Sequence, residues 1–164
     1  MVVHCTTNTI LNSVCPDDRL GVVSDSHGQL RPEVLTLLSG VGAIIHAGDV
    51  GNQSVLEKLG RIAPVYAVRG NIDNKTDCDI LPEQLVLNVW NKRIMVKHTV
   101  EHGDVQGFDL AICGHSHSPK ISRLGKVSLL NPGSIGPRRF KLPISMAYIT
   151  LSHHDTLMPE LITI

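Results

Sequence analysis

The chain of 164 residues has no excess of either charge, with 15 Lys and Arg against 15 Asp and Glu and a pI near 7. Without a basic or acidic field, neither nucleic acid nor an anionic membrane is indicated as a partner, and attraction for a phosphate must be local. The cysteines Cys5, Cys15, Cys78 and Cys113 lie far apart and never form Cys-x-x-Cys. That spacing implies neither a disulfide framework nor a zinc ribbon, and it fits a reducing setting. No apolar run approaches the roughly 18 residues of a membrane helix, and residues 1–16 lack the basic start and apolar centre of a secretory leader. A cytoplasmic location is therefore expected. Internal repeats, linkers and low-complexity tracts are also lacking. What remains is one domain, large enough to bury about two-thirds of its unfolded surface.

Residues 1–18 are rich in Thr, Asn and Ser without a clear period, and are expected to form an extension outside the core, with the domain proper at 19–164. Leu20-Gly21-Val22-Val23, Ala43-Ile44-Ile45-His46 and Val65-Tyr66-Ala67-Val68 are short apolar runs of the buried-strand type. Between them, Pro32 suits a helix first turn, with Val34, Leu35, Leu37 and Leu38 on one face up to Gly40, and Gln53 to Leu59 reads as a second helix. Strands alternating with helices imply right-handed crossovers and a parallel sheet. After Asp73 the pattern changes. Gln84 to Trp90 and Arg93 to Lys97 predict an antiparallel hairpin around Asn91-Lys92, and Leu110 to Cys113 a further strand. A second hairpin is expected across Leu124-Gly125, then a turn cluster Asn131-Pro132-Gly133-Ser134 and a closing strand Ser145 to Leu151. Two packed mixed sheets flanked by helices use these elements; a single doubly wound sheet is the alternative.

Five of these strands end on residues of types that can bind metals. The first is followed by Asp25-Ser26-His27, the second by Gly48-Asp49, the third by Gly70-Asn71 and the hairpin by His98. Leu110 to Cys113 leads into Gly114-His115-Ser116-His117, whose two imidazoles at i and i+2 can face one cavity. Carboxyl ends of parallel strands form a ligand-binding crevice, so these residues can converge there. Carboxylate, amide and imidazole without thiolate suit Mn²⁺, Fe or Zn²⁺. Asp25, His27, Asp49, Asn71, His98, His115 and His117 are too many for one tetrahedral ion. They suit two ions roughly 3.5–4 Å apart sharing a carboxylate, the arrangement of metal-assisted phosphate ester hydrolysis.

The ordered set Asp25-x-His27, Gly48-Asp49, Gly70-Asn71, His98 and Gly114-His115-x-His117 resembles the calcineurin-like metallophosphoesterases. Gly70-Asn71-x-Asp73 and the late Asn131-Pro132-Gly133-Ser134 resemble their small prokaryotic, YfcE-like phosphodiesterase branch. The resemblance implies a four-layer α/β/β/α sandwich of two mixed sheets. It implies that Asp25, His27, Asp49 and His117 hold one divalent ion and Asp49, Asn71, His98 and His115 the other, with Asp49 bridging. Mn²⁺ is the first expectation, with Ni²⁺, Zn²⁺ and Fe as alternatives. A metal-bridging hydroxide would attack phosphorus in line, with Asp49, Asn71 and His115 at the reaction centre and Asn71 and Arg138 on the substrate.

The same resemblance implies a small phosphate ester as substrate, with nucleotides among the candidates, and a homodimer. His46 is read either as orienting Asp49 or as a hydrogen-bonded strand residue, and the Arg138–Arg139 pair either as a phosphate clamp or as exposed. Two positions depart from the pattern of many relatives. Ile72 replaces a His that follows the Asn ligand, and His98-Thr99-Val100 replaces His-Gly-His, leaving His102 as a second candidate for the His98 role. The competing functional reading is a binding module, since the retromer scaffold subunit is similar to this fold; a redox or structural metal site is a third.

Overall fold

The computed structural model describes residues 8–164. Leu20–Val23 (β2), Ala43–His46 (β3) and Val65–Ala67 (β4) run parallel, and all their residues are buried, as continuous apolar runs in a sheet covered on both faces should be. Ser145–Leu151 (β10) and Leu157–Thr163 (β11) extend this sheet antiparallel on the β2 side, giving the order β11-β10-β2-β3-β4. The second sheet has six strands in the order β1-β5-β6-β7-β9-β8. These are Asn8–Ile10 (β1), Gln84–Val89 (β5), Lys92–Lys97 (β6), Leu110–Ile112 (β7), Lys120–Leu124 (β8) and Val127–Asn131 (β9). Thus there are two mixed sheets, and not one doubly wound sheet.

Alternation decides the layers. Leu85, Leu87 and Val89 of β5 are buried while Gln84, Val86 and Asn88 are half-exposed, so one face of the strand enters the core. That core lies between the sheets and joins Leu20, Val22, Ala43 and Ile45 to Ile94, Val96, Leu110, Ile112 and Leu130. On the other face of the smaller sheet, Pro32–Leu37 (α1) and Gln53–Gly60 (α2) bury Val34, Val55, Leu56 and Leu59 against Ile44, Val65 and Met146. The outer face of the larger sheet is covered by the turns at 102–107, whose Val105 packs on Met95, Ala111 and Val127. The fourth layer is therefore a run of turns where a helix would stand.

Residues 8–14 correct the expectation of an extension outside the core. β1 pairs parallel with β5, and Leu11 and Val14 are buried in the inter-sheet core. The strand is three residues long at an edge, too short to show a period. Residues 1–7, including His4 and Cys5, lie outside the described residues. The first hairpin turns on Trp90-Asn91 and not Asn91-Lys92; both residues have positive φ, 51° and 58°, as a two-residue primed turn demands. β11, a continuous strand that carries Pro159 at the sheet edge, was not expected.

The consequence for function is directional. β2, β3 and β4 of one sheet and β6, β7 and β9 of the other all point their carboxyl ends at the same rim.

Candidate metal centre

At that rim the backbone bends sharply after each strand. Asp25, His27, Asp49, His115 and His117 all adopt left-handed conformations, with φ of 53°, 46°, 54°, 69° and 57°. Asp and His tolerate this region better than most residues, but it persists only where surrounding bonds dictate it. Here the loops are stitched together: Asp25 N–H donates to Gly48 O at 3.0 Å, His27 N–H to Asp49 O at 3.0 Å and Gly114 N–H to His98 O at 3.0 Å. Close approach adds a second constraint. A Cβ on Gly70 would lie 2.1 Å from Asp49 Oδ1, and one on Gly114 would lie 2.0 Å from Ser24 Oγ. Only glycine lets these turns meet.

The side chains converge as two clusters, Asp25–His27–His117 and Asp25–Asp49–His98, with Asp25 in both. His27 Nε2 and His117 Nε2 are 3.1 Å apart, and Asp25 Oδ1 lies 3.3 Å from His117 Nε2 and 4.0 Å from His98 Nε2. Asp49 stands between the clusters: its Oδ1 is 3.4 Å from His98 Nε2 and its Oδ2 is 3.8 Å from His27 Nε2. Asn71 and His115 form an exposed flank, joined through Asn71 Oδ1 and His115 Nδ1 at 3.1 Å, with the His115 ring edge-on to His98 at 5.3 Å. Five of the seven expected ligands thus fall in the two clusters, which share Asp25 where the expected bridge was Asp49, and Asn71 and His115 lie on their exposed flank.

The residues behind them fix which atoms face inward. His98 Nδ1–H donates to Ala47 O at 2.7 Å, so Nε2 is the atom presented to the carboxylates. Ser24 Oγ–H donates to Asp25 Oδ2 at 2.7 Å and His115 N–H to the same oxygen at 3.1 Å, leaving Oδ1 free toward the cleft. Ile72 N–H donates to Asp49 Oδ1 at 3.1 Å, so the residue that departs from the family pattern still serves through its backbone.

Protonation follows from burial. Desolvation raises Asp25 to about 6, and it lowers His27 and brings His117 down to about 4. Burial, the largest single cause, works to raise Asp49 and to lower His98, but in each case the hydrogen bonds and neighbouring charges together outweigh it. His98 and the Ile72 N–H hold Asp49 down; Asp49 and the Ala47 carbonyl hold His98 up. Asp25 Oδ1 and His98 Nε2 are buried without a hydrogen-bond partner. Buried lone pairs left unbonded are costly, and a divalent cation would satisfy both. Thiolate-free N and O donors at these spacings fit a first-row divalent ion.

His46 is fully buried and does not touch Asp49. Its Nε2 lies 2.9 Å from Ser26 Oγ, which donates onward to Val50 O, and desolvation lowers it to about 3. His102 is exposed on the turns beyond β6 and belongs to neither cluster. Of the two arginines, Arg139 reaches the cleft, with Nη2 3.4 Å from His27 Nε2, whereas Arg138 is exposed and makes no hydrogen bond to the site residues.

Sequence reasoning assigned no role to Asp73, which holds the site together. Its Oδ2 accepts from Val50 N at 3.1 Å and Gly70 N at 2.8 Å, and its Oδ1 from Gly51 N at 2.9 Å. One carboxylate thereby ties the turn carrying Asp49 to the turn carrying Asn71. The signal was an acidic residue two places after Asn71, just past a glycine turn. Asn131 and Ser134 act likewise from the far loop: Asn131 Nδ2 donates to Gly114 O at 2.8 Å, and Ser134 Oγ to Asp25 O at 2.9 Å.

A family model described as the calcineurin-like phosphoesterase superfamily domain matches residues 19–154. A probable metallophosphoesterase of Methanocaldococcus jannaschii is 34% identical over 88% of this chain and 81% of its own length. Phosphodiesterase YfcE of Escherichia coli K12 is 30% identical over 71% of this chain and 79% of its own. Among solved structures, Vps29 of Chaetomium thermophilum superposes with a TM-score of 0.71 at 15% identity, covering 90% of this chain and 96% of that one, a likeness of fold.

Proposed function

Because this chain belongs to the calcineurin-like phosphoesterase superfamily, we propose that it is a metal-dependent phosphodiesterase acting on a small phosphate ester. The observation that carries this reading is the pair of clusters sharing Asp25, with Asp49 directing one oxygen to each side. Asp25, His27, Asp49 and His117 would hold one divalent ion and Asp49, Asn71, His98 and His115 a second. When bound, such ions activate water as a nucleophile and neutralise charge on the phosphoryl oxygens.

The chain's own residues do the rest. The Ala47 carbonyl keeps His98 in one tautomer, and Ser24 and His115 N–H keep Asp25 aimed into the cleft. Arg139, which reaches His27, supplies a positive side chain for a non-bridging oxygen. Ile72 offers no side-chain proton to a leaving group, and proton donation is typically worth about 10²–10⁴ in rate. Aryl diesters should therefore turn over far faster than alkyl ones; a rate independent of leaving-group pKa would contradict this.

Mn²⁺ is the proposed ion, ahead of Ni²⁺, Zn²⁺ and Fe, with a cytoplasmic setting and a homodimer as further parts of the reading. The test is hydrolysis of bis-p-nitrophenyl phosphate and of the monoester by protein stripped of metal and reloaded with each ion, with Asp49→Asn as control. Activity restored by metal and lost in the variant supports the proposal. Two bound ions per chain with no turnover of either ester would favour a binding module like the retromer subunit instead.

A further inference from the structure

Two cavities flank the metal centre and meet at its edge. The larger, about 300 Å³, and the smaller, about 200 Å³, share His98 and Thr99 as their common wall. A diester bound by its phosphate at the cleft has two arms to place, and these two cavities are where they can go. The reasoning rests on the phosphodiesterase reading above.

The two cavities differ in charge. In the smaller, each cation is already matched: Arg69 pairs with Glu83, and Lys97 Nζ lies 2.8 Å from Asp104 Oδ2. Away from the shared wall of His98 and Thr99, its remaining polar side chains are the neutral amides Asn71 and Asn74. In the larger cavity no carboxylate lines the wall among the described residues, and Lys120 takes part in no ion pair there. Exposed Lys120 shares this cavity with the hydroxyl-bearing residues Thr99, Ser116, Ser118 and Ser122.

This arrangement comes from strand period and register. Ser118, Lys120 and Ser122 recur every second residue at and along β8, so they share one face. β8 pairs antiparallel with β9, placing Lys120 opposite Asn131 and Ser122 opposite Leu129, both of which also line the cavity. Because β9 runs with β6 and β7, its antiparallel neighbour brings its amino end, and with it Lys120, to the rim that carries His115. In a chain without net charge, an unmatched ammonium among hydroxyls beside the metal centre is a local anion receptor.

We propose that the substrate is a phosphodiester one arm of which bears a second anionic group, phosphoryl or carboxylate, seated against Lys120 in the larger cavity. The uncharged polar arm occupies the smaller one. Neither cavity is lined by Phe, Tyr or Trp, and the rings they contain are the imidazoles of His98, in both, and His115, in the larger.

The experiment is calorimetric titration of the Mn²⁺-reloaded protein with three slowly hydrolysed probes: diethyl phosphate, ethyl 2-carboxyethyl phosphate and ethyl 2-phosphoethyl phosphate. For an exposed lysine, the charged arms should bind about tenfold more tightly than diethyl phosphate. Lys120→Gln should remove that preference, Lys120→Arg should restore it, and Lys126→Gln, on the same hairpin but outside the cavity, should keep it. Equal affinity for the three probes, or a preference that survives Lys120→Gln, overturns the assignment. The two readings fail separately. Charged-arm binding without turnover of bis-p-nitrophenyl phosphate removes the phosphodiesterase and leaves the anion receptor, whereas turnover without charge preference does the reverse.

Discussion

On one side of the metal centre Asp25, Asp49, His98 and His117 are only 0%, 3%, 5% and 2% exposed; on the other, Asn71 and His115 are open to solvent. Of the buried side chains, Asp25, His98 and Asp49 are held by Ser24, the Ala47 carbonyl and the Ile72 N–H, and three of the four sit on left-handed backbone. The open pair is joined by a single contact of 3.1 Å between its own members. Burial thus fixes the donors of one flank before any ion arrives, while the other can adjust to what the cleft contains. Rigid first contacts with an adaptable open flank are what a site needs if it must bind ions firmly and admit substrate.

The largest test of this contrast is a pair of truncations. His98→Ala should remove one bound ion per chain, a loss exceeding the roughly 10–100-fold that outer contacts are worth, whereas His115→Ala should weaken binding by less. Metal content by mass spectrometry decides. Full metal content in His98→Ala would shift the ligand role to His102.

A second contrast uses glycine. Gly70→Ala forces a Cβ to within 2.3 Å of Asp49 N, a backbone atom that cannot step aside, and should cost about 1–3 kcal/mol along with metal affinity. Gly103→Ala meets nothing within 4 Å and should be silent in the same thermal melts.

Asp73→Asn removes one carboxylate oxygen as acceptor for the backbone of Gly70, Val50 or Gly51. Leaving such N–H groups unbonded should cost about 1–3 kcal/mol and roughly 10-fold or more in metal affinity, although Asp73 itself touches no ligand side chain. Stability lost without loss of metal affinity would mean that it braces the fold alone.

The last test concerns acid. His46 is neutral in the folded protein down to about pH 3, but is protonated in the unfolded chain below its ordinary value of 6.5. The unfolded state therefore binds more protons between these values, and the stabilisation, fully present above 6.5, is lost as pH falls toward 3. The whole effect is on the order of a few kcal/mol. In metal-free protein, chemical denaturation from pH 7 to 4 should show a shallower decline for His46→Gln than for the parent chain. An unchanged slope would remove His46 from the account.

Legibility in the sequence followed the same division. β2, β3 and the hairpin of β5 and β6 were readable because continuous burial and strict alternation leave marks in adjacent residues. β1 and β11 were not, since three residues at an edge carry no such mark and a proline within a run argues against a strand. Arg139 over Arg138, and the bracing by Asp73, Asn131 and Ser134, depend on which way a loop faces.

The sequence by itself determined the seven candidate ligands and their order, because each follows an apolar strand whose carboxyl end must open on a crevice. Only the tertiary structure decided that Asp25 serves both clusters and that Lys120 stands unmatched beside them. Both depend on contacts across two sheets, between residues as far apart as Asp25 and His117, and sequence pattern within one strand holds no information about the register of another.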